Sequence, residues 1–111
     1  MSHPAIQLDD VVHQRTRLGI LGVLVEAVRV DFAFVKDALS LTDGNLSRHL
    51  QVLEEAGLVK ISKMFEGKRP RTWLSVTRKG RAAFEAEVAA LREIVARADG
   101  RRGRSSGSPR D

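Results

Sequence analysis

The sequence predicts a mostly helical α+β domain, in which two short helices are followed by a β-hairpin and a long C-terminal helix. Residues 41–57 repeat leucine at helical spacing between a capping threonine and a glycine. Two stretches after Gly57 alternate apolar and polar residues, and residues 78–98 carry a sustained apolar seam. The 111 residues are enough for one hydrophobic core and too few for a second.

Helices are also predicted before residue 41. Residues 16–28 are apolar around most of the helix circumference, which indicates a helix buried on two sides. Its remaining face carries Gly19 and Gly22, which either allow another helix to approach closely or are simply tolerated. Asp31 is placed to cap a short helix over residues 32–39. Residues 1–7 show no such pattern and are expected to be flexible.

The helix over residues 42–56 has two contrasting sides. Leu46, Leu50 and Leu53 form one apolar stripe that predicts a core-facing side. The other side and its flank offer short polar groups and one guanidinium, from Thr42, Asp43, Gly44, Asn45, Ser47, Arg48 and Gln51. These groups suit DNA base edges and phosphates better than an ordinary Lys and Glu surface would. Taken alone, a solvated face with capping residues would explain the helix equally well.

The alternating stretches, residues 58–64 and 72–77, predict two strands of a hairpin. Between them, Gly67 and Pro70 predict a turn that protrudes because Pro70 limits pairing. The basic residues of this hairpin oppose only Glu66, and they are Lys60, Lys63, Lys68, Arg69 and Arg71. A helix-turn-helix followed by a basic hairpin is the arrangement of a winged helix.

The last predicted helix, residues 78–98, begins after a possible Thr77 cap and carries an apolar seam with alternating spacings of four and three. Such a seam requires a partner helix. We therefore hypothesise a homodimer whose interface includes Leu18, Gly19, Gly22, Phe84, Val88, Leu91 and Val95. The alternative is that this helix folds back onto the first helix of its own chain.

The net charge of +5 is unevenly distributed along the chain. Residues 42–81 carry most of the excess positive charge, which is typical of a surface that binds a polyanion. Residues 100–111 are rich in Gly, Ser and Arg and predict a disordered basic tail outside a domain of residues 8–99. This tail could add non-specific attraction to phosphate or remain unused.

Several functional classes are disfavoured by what the sequence lacks. There is no cysteine and no apolar run of membrane-spanning length, so a cytoplasmic protein is the simplest expectation. Asp9, Asp10 and His13 have a spacing that could bind a metal, but a capped, solvated turn is the commoner reason for it. His49 has no carboxylate placed to orient it as a general base. We expect neither an enzyme nor a cofactor.

Four runs of the sequence taken together resemble the winged helix-turn-helix regulators related to the MarR and ArsR families, in their small one-domain branch. They are LTDGNLSRHL from Leu41, LEEAGLV from Leu53, KRPRT from Lys68 and LSVTRKGR from Leu74. The resemblance covers about residues 8–95. The sequence differs from the family pattern at one position: relatives often have Pro before Thr-Arg-Leu, and this chain has Arg15. The Cys-rich motifs of metal-sensing relatives are also missing.

The resemblance implies a dimeric repressor or activator that binds specific double-stranded DNA. Residues 42–56 would enter the major groove, and the wing, residues 63–71, would contact the backbone or the minor groove. Arg48 would then contact guanine, Asn45 and Gln51 adenine or phosphate, and the wing cations phosphates. A dimer predicts an imperfect palindrome with half-sites about 10 bp apart. The alternative is a winged helix that binds another protein. The sequence indicates no effector.

Overall fold

The computed structural model describes residues 3–105. In chain order the elements are a 3₁₀-helix (Pro4–Gln7), α1 (Arg15–Leu24), β1 (Val30–Asp31), α2 (Phe32–Ala38), α3 (Asp43–Glu55), β2 (Val59–Glu66), β3 (Arg69–Val76) and α4 (Arg78–Ser105). The strands form a three-stranded antiparallel sheet in the order β1-β3-β2. The predicted fold class is confirmed: a helix-turn-helix precedes a β-hairpin and a long final helix.

The core lies between α1, α3 and the inner face of the sheet. The predicted leucine stripe of α3 is buried, and it meets buried residues of α1 and Leu74 of β3. Full burial of each such side chain contributes about 1.5–3 kcal/mol, so the stripe fixes the rotation of α3 about its axis. Truncating Leu53 to alanine would cost about 2–5 kcal/mol for the same reason. The polar side of α3 consequently faces outward.

The predicted helix caps are present. The hydroxyl of Thr42 accepts a hydrogen bond from the N–H of Asn45 at 3.1 Å, and a carboxylate oxygen of Asp31 accepts one from Ala33 at 2.6 Å. Each bond satisfies an N–H that the first turn leaves free. Gly57 follows the C-cap of α3 and has a φ of 78°, a conformation that glycine adopts without steric cost.

The hairpin is longer and more tightly closed than the sequence indicates. Its strands pair as far as Glu66 with Arg69, so only Gly67 and Lys68 form the turn. Gly67 has a φ of 65° at the first turn position, as a type II′ turn requires. The predicted protruding loop is thus wrong. Pro70 is tolerated inside β3 because the short β1 pairs only with Trp73 and Leu74 and leaves β3 without a second neighbour at Pro70.

The N-terminal part differs from the prediction at two points. Residues 4–7, expected to be flexible, form a 3₁₀-helix with buried Pro4 that contacts α4. A proline at the start of such a helix costs no hydrogen bond, and its burial anchors the segment. α1 ends at Leu24 instead of continuing to residue 28, because the chain must turn to pair Val30 with Leu74.

The first part of α4 packs on its own chain. A Cβ at Gly22 would lie 3.7 Å from the ring of Phe84, and one at Gly19 would lie 3.4 Å from Leu39. Leu18 also packs against the core. Leu18, Gly19, Gly22 and Phe84, four of the predicted dimer residues, therefore make contacts within the protomer. The first part of the seam folds back onto α1, as the alternative interpretation stated.

The second part of α4 has a different environment. Val88, Leu91 and Val95 line a shallow apolar groove of about 380 Å³ together with Arg92, Ala96 and Asp99. The helix continues past the predicted end at residue 98 to Ser105. Residues 106–111 of the predicted basic tail lie outside the described residues, as do residues 1 and 2.

Candidate nucleic-acid interface

The outer side of α3 is fully available to a ligand. Each side chain or glycine that the sequence assigned to DNA contact is exposed, namely Thr42, Asp43, Gly44, Asn45, Ser47, Arg48 and Gln51. Arg48 donates a hydrogen bond from Nη2 to Oδ1 of Asn45 at 2.7 Å. This bond uses one of the guanidinium donors and holds the group along the helix, with other donors free for an acceptor. The amide of Gln51 donates a longer bond, of 3.4 Å, to Glu55.

The negative charge at the start of α3 is offset. Lys36 of α2 forms an ion pair with Asp43 at 3.0 Å, and hydrogen bonding to Asp43 raises the pKa of Lys36. Both side chains are accessible to water, so the pair contributes little to stability. Its effect is local: the carboxylate nearest the helix N-terminus does not present an unbalanced charge to a phosphate.

The wing presents exposed cations on β2 and the turn. Lys63, Lys68 and Arg69 are exposed, and within residues 3–100 none of them forms an ion pair. By strand alternation Lys63 lies on the same face as Ile61, which points toward α3. The predicted wing cations at these positions are thus free to contact an anion.

Arg71 has another role. Its guanidinium is paired with Asp31 and, at 2.7 Å, with Glu66, and it lies 5.0 Å from the ring centroid of Trp73. Although burial alone would raise the pKa of Asp31, the N–H of Ala33 and the guanidinium of Arg71 hold it below its usual value. Arg71 is therefore not a free cation like its basic neighbours: two carboxylates offset its charge, and it connects the wing to β1.

Arg29 is a cation beside the wing that the sequence interpretation missed. It is exposed immediately before β1, and its guanidinium lies 4.3 Å from the centroid of Trp73, on the sheet face that also carries Arg71. Its Nη1 is 3.8 Å from the sulfur of Met64. A strand of two residues is too short to show alternation of apolar and polar residues. The sequence therefore carried no signal for β1 other than the residues that lead into the Asp31 cap of α2.

His49 is a half-buried residue of α3 next to the candidate interface. Arg17 of α1 lies 3.3 Å from Nδ1 of His49, and Arg17 also donates to the backbone oxygens of Val11 at 2.6 Å and Asp10 at 3.3 Å. Burial, followed by the charges of Arg17 and Arg48, lowers the pKa of His49. Because a guanidinium can only donate, Nδ1 of His49 accepts from Arg17, and this contact connects the middle of α3 to the N-terminal turn.

The acidic turn near the N-terminus is fastened to α4. Glu87, only 1 % exposed, has Oε2 2.5 Å from Nδ1 of His13 and accepts a bond from the N–H of Asp9 at 3.3 Å. Glu87 was not singled out from the sequence, although it is the acidic residue adjoining Val88 in the seam. Across the described residues, no group of three or more His, Cys, Asp or Glu side chains is arranged to hold a metal ion.

A cleft joins α3 to the wing. It has a volume of about 390 Å³ and is lined by Phe32, Asp43, Ser47, Leu50, Ile61, Lys63 and Thr72. Asp43 and Ser47 on the polar side of α3 and Lys63 of the hairpin therefore border the same concave surface. In the part of the chain that the structure covers, no helix combines the length and apolar character needed to cross a membrane.

The chain is similar to known DNA-binding proteins over most of its length. A family model described as a winged helix DNA-binding domain matches residues 16–95. An uncharacterized protein of Methanocaldococcus jannaschii, MJ0432, is 42% identical over 69 residues, which is 62% of this chain and 75% of that protein.

Solved structures share the fold. The transcriptional regulator homologue protein from Pyrococcus horikoshii OT3 superposes with a TM-score of 0.82 and 30% identity, over 89% of this chain and 99% of that one. The M. tuberculosis transcriptional regulator MOSR, solved in complex with DNA, has a TM-score of 0.68 and 21% identity, over 87% and 69% of the respective chains. The predicted resemblance is confirmed, and this chain belongs to the winged helix DNA-binding domain family.

Proposed function

We propose that the protein is a homodimeric, cytoplasmic transcriptional regulator that binds specific double-stranded DNA, with α3 in the major groove and the wing against the backbone. The observation that carries the proposal is the exposed polar side of α3, which borders the basic hairpin across one cleft. Support also comes from the Pyrococcus relative, described as a transcriptional regulator homologue, and from MOSR, solved with DNA. The proposal includes no catalytic step and no cofactor.

Sequence readout is assigned to Arg48 and its neighbours on α3. A guanidinium held by Asn45 at 2.7 Å is pre-oriented along the helix and can donate to the O6 and N7 acceptors of guanine. Gln51 lies one turn further along the exposed side and can reach an adjacent base or phosphate. The free N–H groups of the first turn of α3 favour a phosphate near Gly44, where no side chain obstructs the approach.

Backbone binding is assigned to Lys63, Lys68 and Arg69. Each unpaired cation that contacts a phosphate releases condensed counterions and increases the dependence of affinity on salt. Arg71 is not included, because Asp31 and Glu66 already balance its charge. The wing should therefore contribute to affinity on all DNA sequences, whereas α3 should determine which sequence is preferred.

Dimerisation is assigned to the apolar groove of α4. Val88, Leu91 and Val95 lie on the part of α4 that extends beyond the core, and a second copy of the same helix would cover them. α4 has 28 residues and so extends about 42 Å, which is long enough to hold two DNA-binding units apart. The expected target is an imperfect palindrome with half-sites about 10 bp centre to centre.

The test begins with selection of duplexes from a random library on the purified protein, followed by fluorescence anisotropy at several salt concentrations. We expect an imperfect palindrome to be enriched. Lys63→Ala should reduce the slope of log affinity against log salt by about 0.9, because one phosphate contact is lost. Lys60→Ala is the matched control, since Lys60 is an exposed lysine of the same strand on the opposite face. Absence of binding to every duplex at low ionic strength would refute the proposal.

A winged helix that binds another protein is the second candidate. It is favoured by the exposed Met64 and Phe65 of the wing. The cations around them oppose it, because a protein-binding surface of this kind would be depleted of lysine. Gel shifts with and without competitor DNA separate the two: binding to the selected duplex that competitor DNA does not displace supports the regulator, and absence of binding even without competitor supports the protein-contact module.

A further inference from the structure

Phe65 is an exposed aromatic residue at the end of the wing. Its side chain is 74 % exposed, and it pairs across the hairpin with Pro70, next to the last pair before the turn. An aromatic side chain with this exposure gains almost nothing from the core of its own protomer. Packing within the protomer therefore does not explain an aromatic residue at position 65.

The direction of Phe65 relates it to α3. Residues of β2 alternate between the two faces of the sheet, so Phe65 lies on the same face as Ile61 and Lys63. Ile61 and Lys63 form the hairpin wall of the cleft whose other wall includes Ser47 of α3. Phe65 thus projects from the side of the wing that faces a duplex held against α3.

The electrostatic surroundings of Phe65 favour a polyanion. Lys63, Lys68 and Arg69 are exposed within a few residues of it. The one carboxylate of the hairpin, on Glu66, accepts a bond from Arg71 at 2.7 Å and is therefore offset. An apolar side chain that has Lys63 on its own face and two further unpaired cations at the turn and the next strand fits the minor groove, where phosphates lie on both sides of a stack of bases.

We infer that Phe65 is an apolar wedge that enters the minor groove beside the half-site and partly unstacks one base step. The inference rests on the proposed function, because it requires a duplex bound to α3. The two-residue turn at Gly67 and Lys68 and the paired strands keep the wing stiff enough to press the ring against the bases. Side chains such as Phe and Pro unstack and kink DNA in this way in other minor-groove proteins.

The test uses the selected duplex with 2-aminopurine placed in turn at each adenine flanking the half-site, together with end-to-end fluorescence energy transfer to measure bending. Parent protein should raise 2-aminopurine emission at one step and shorten the end-to-end distance. Phe65→Ala should abolish both signals and weaken binding about tenfold, with an unchanged salt slope because no phosphate contact is lost. Phe65→Leu keeps an apolar wedge and should retain most of both signals.

Phe34→Ala is the matched control. Phe34 lies on α2 and is 58 % exposed, so its substitution also removes an exposed aromatic ring. It should leave 2-aminopurine emission and bending as in the parent, and circular dichroism should show that all variants fold. If Phe65→Ala binds and bends the duplex as the parent does, the wedge is refuted while the regulator assignment stands. Weaker binding by Phe65→Ala with unchanged 2-aminopurine emission also refutes it. If the parent binds no duplex, the proposed function itself fails.

Discussion

Replacing Gly80 with alanine should destabilise the junction between the hairpin and α4. A Cβ at Gly80 would overlap the carbonyl oxygen of Leu58 and lie 2.8 Å from its carbon and 2.9 Å from Cγ2 of Val76. The carbonyl is held in place, because it accepts a bond from the N–H of Thr77 at 3.0 Å. Thr77 in turn caps α4 by accepting from the N–H of Gly80 at 2.9 Å. Relief of the overlap therefore requires movement of backbone.

The magnitude follows from two opposing effects. Alanine favours a helix over glycine by about 1 kcal/mol. Ordinary carbon contacts are about 3.5–4.0 Å, so the start of α4 would have to move away from Leu58 by at least roughly 0.7 Å. Overpacking of this kind costs about 1–3 kcal/mol, and the upper end applies because the obstacle is backbone. We expect a net loss of about 2 kcal/mol, or roughly 8–16 °C in Tm.

Urea unfolding followed by circular dichroism measures this loss, at one fixed protein concentration because dimerisation would contribute to stability. Gly100→Ala provides the control: Gly100 lies in the same helix and has no neighbour within 4 Å of an added Cβ. Gly100→Ala should be as stable as the parent or more stable by up to about 1 kcal/mol. A Gly80→Ala protein as stable as the parent would show that the close approach to Leu58 is not a constraint.

Further predictions concern binding, assembly and pH. Arg48→Ala should reduce discrimination at one guanine of the selected site by about 1–3 kcal/mol in anisotropy with singly substituted duplexes, and unchanged discrimination would contradict its role. Leu91→Glu should give a monomer in sedimentation equilibrium, whereas Ala89→Glu, on the same helix outside the groove, should not; a dimer in both would place the interface elsewhere. Because burial and the nearby charges of Arg17 and Arg48 lower the pKa of His49, the unfolded chain binds its proton at higher pH. Stability should therefore fall as pH decreases through about 6.5, less steeply in His49→Gln, and equal slopes would contradict this linkage.

The architecture and the outer side of α3 could be predicted because the signals for them are local. Leu46, Leu50 and Leu53 specify a buried stripe within a few turns, and Thr42 caps the helix that carries it. Once the stripe is buried, 3.6 residues per turn place Arg48 outside. No information from distant parts of the chain is needed for this inference.

The features that the sequence did not indicate depend on contacts between distant segments. Arg71 resembles its basic neighbours in sequence, and only the fold brings it to Asp31 and removes it from the set of free cations. The seam of α4 shows that the helix has a partner, but the spacing alone does not distinguish a second chain from α1. The packing of Phe84 over Gly22 decides this for the first part of the helix.

The carboxylate of Asp31 has a consequence for how force passes through the molecule. One oxygen holds the start of α2 through Ala33, and the other holds Arg71 of the wing. A bound duplex that pushes the hairpin outward must therefore pull on the same side chain that begins the first helix of the helix-turn-helix. The first helix of the helix-turn-helix and the wing are therefore held by one carboxylate, and a substitution at Asp31 would let each of them move without the other.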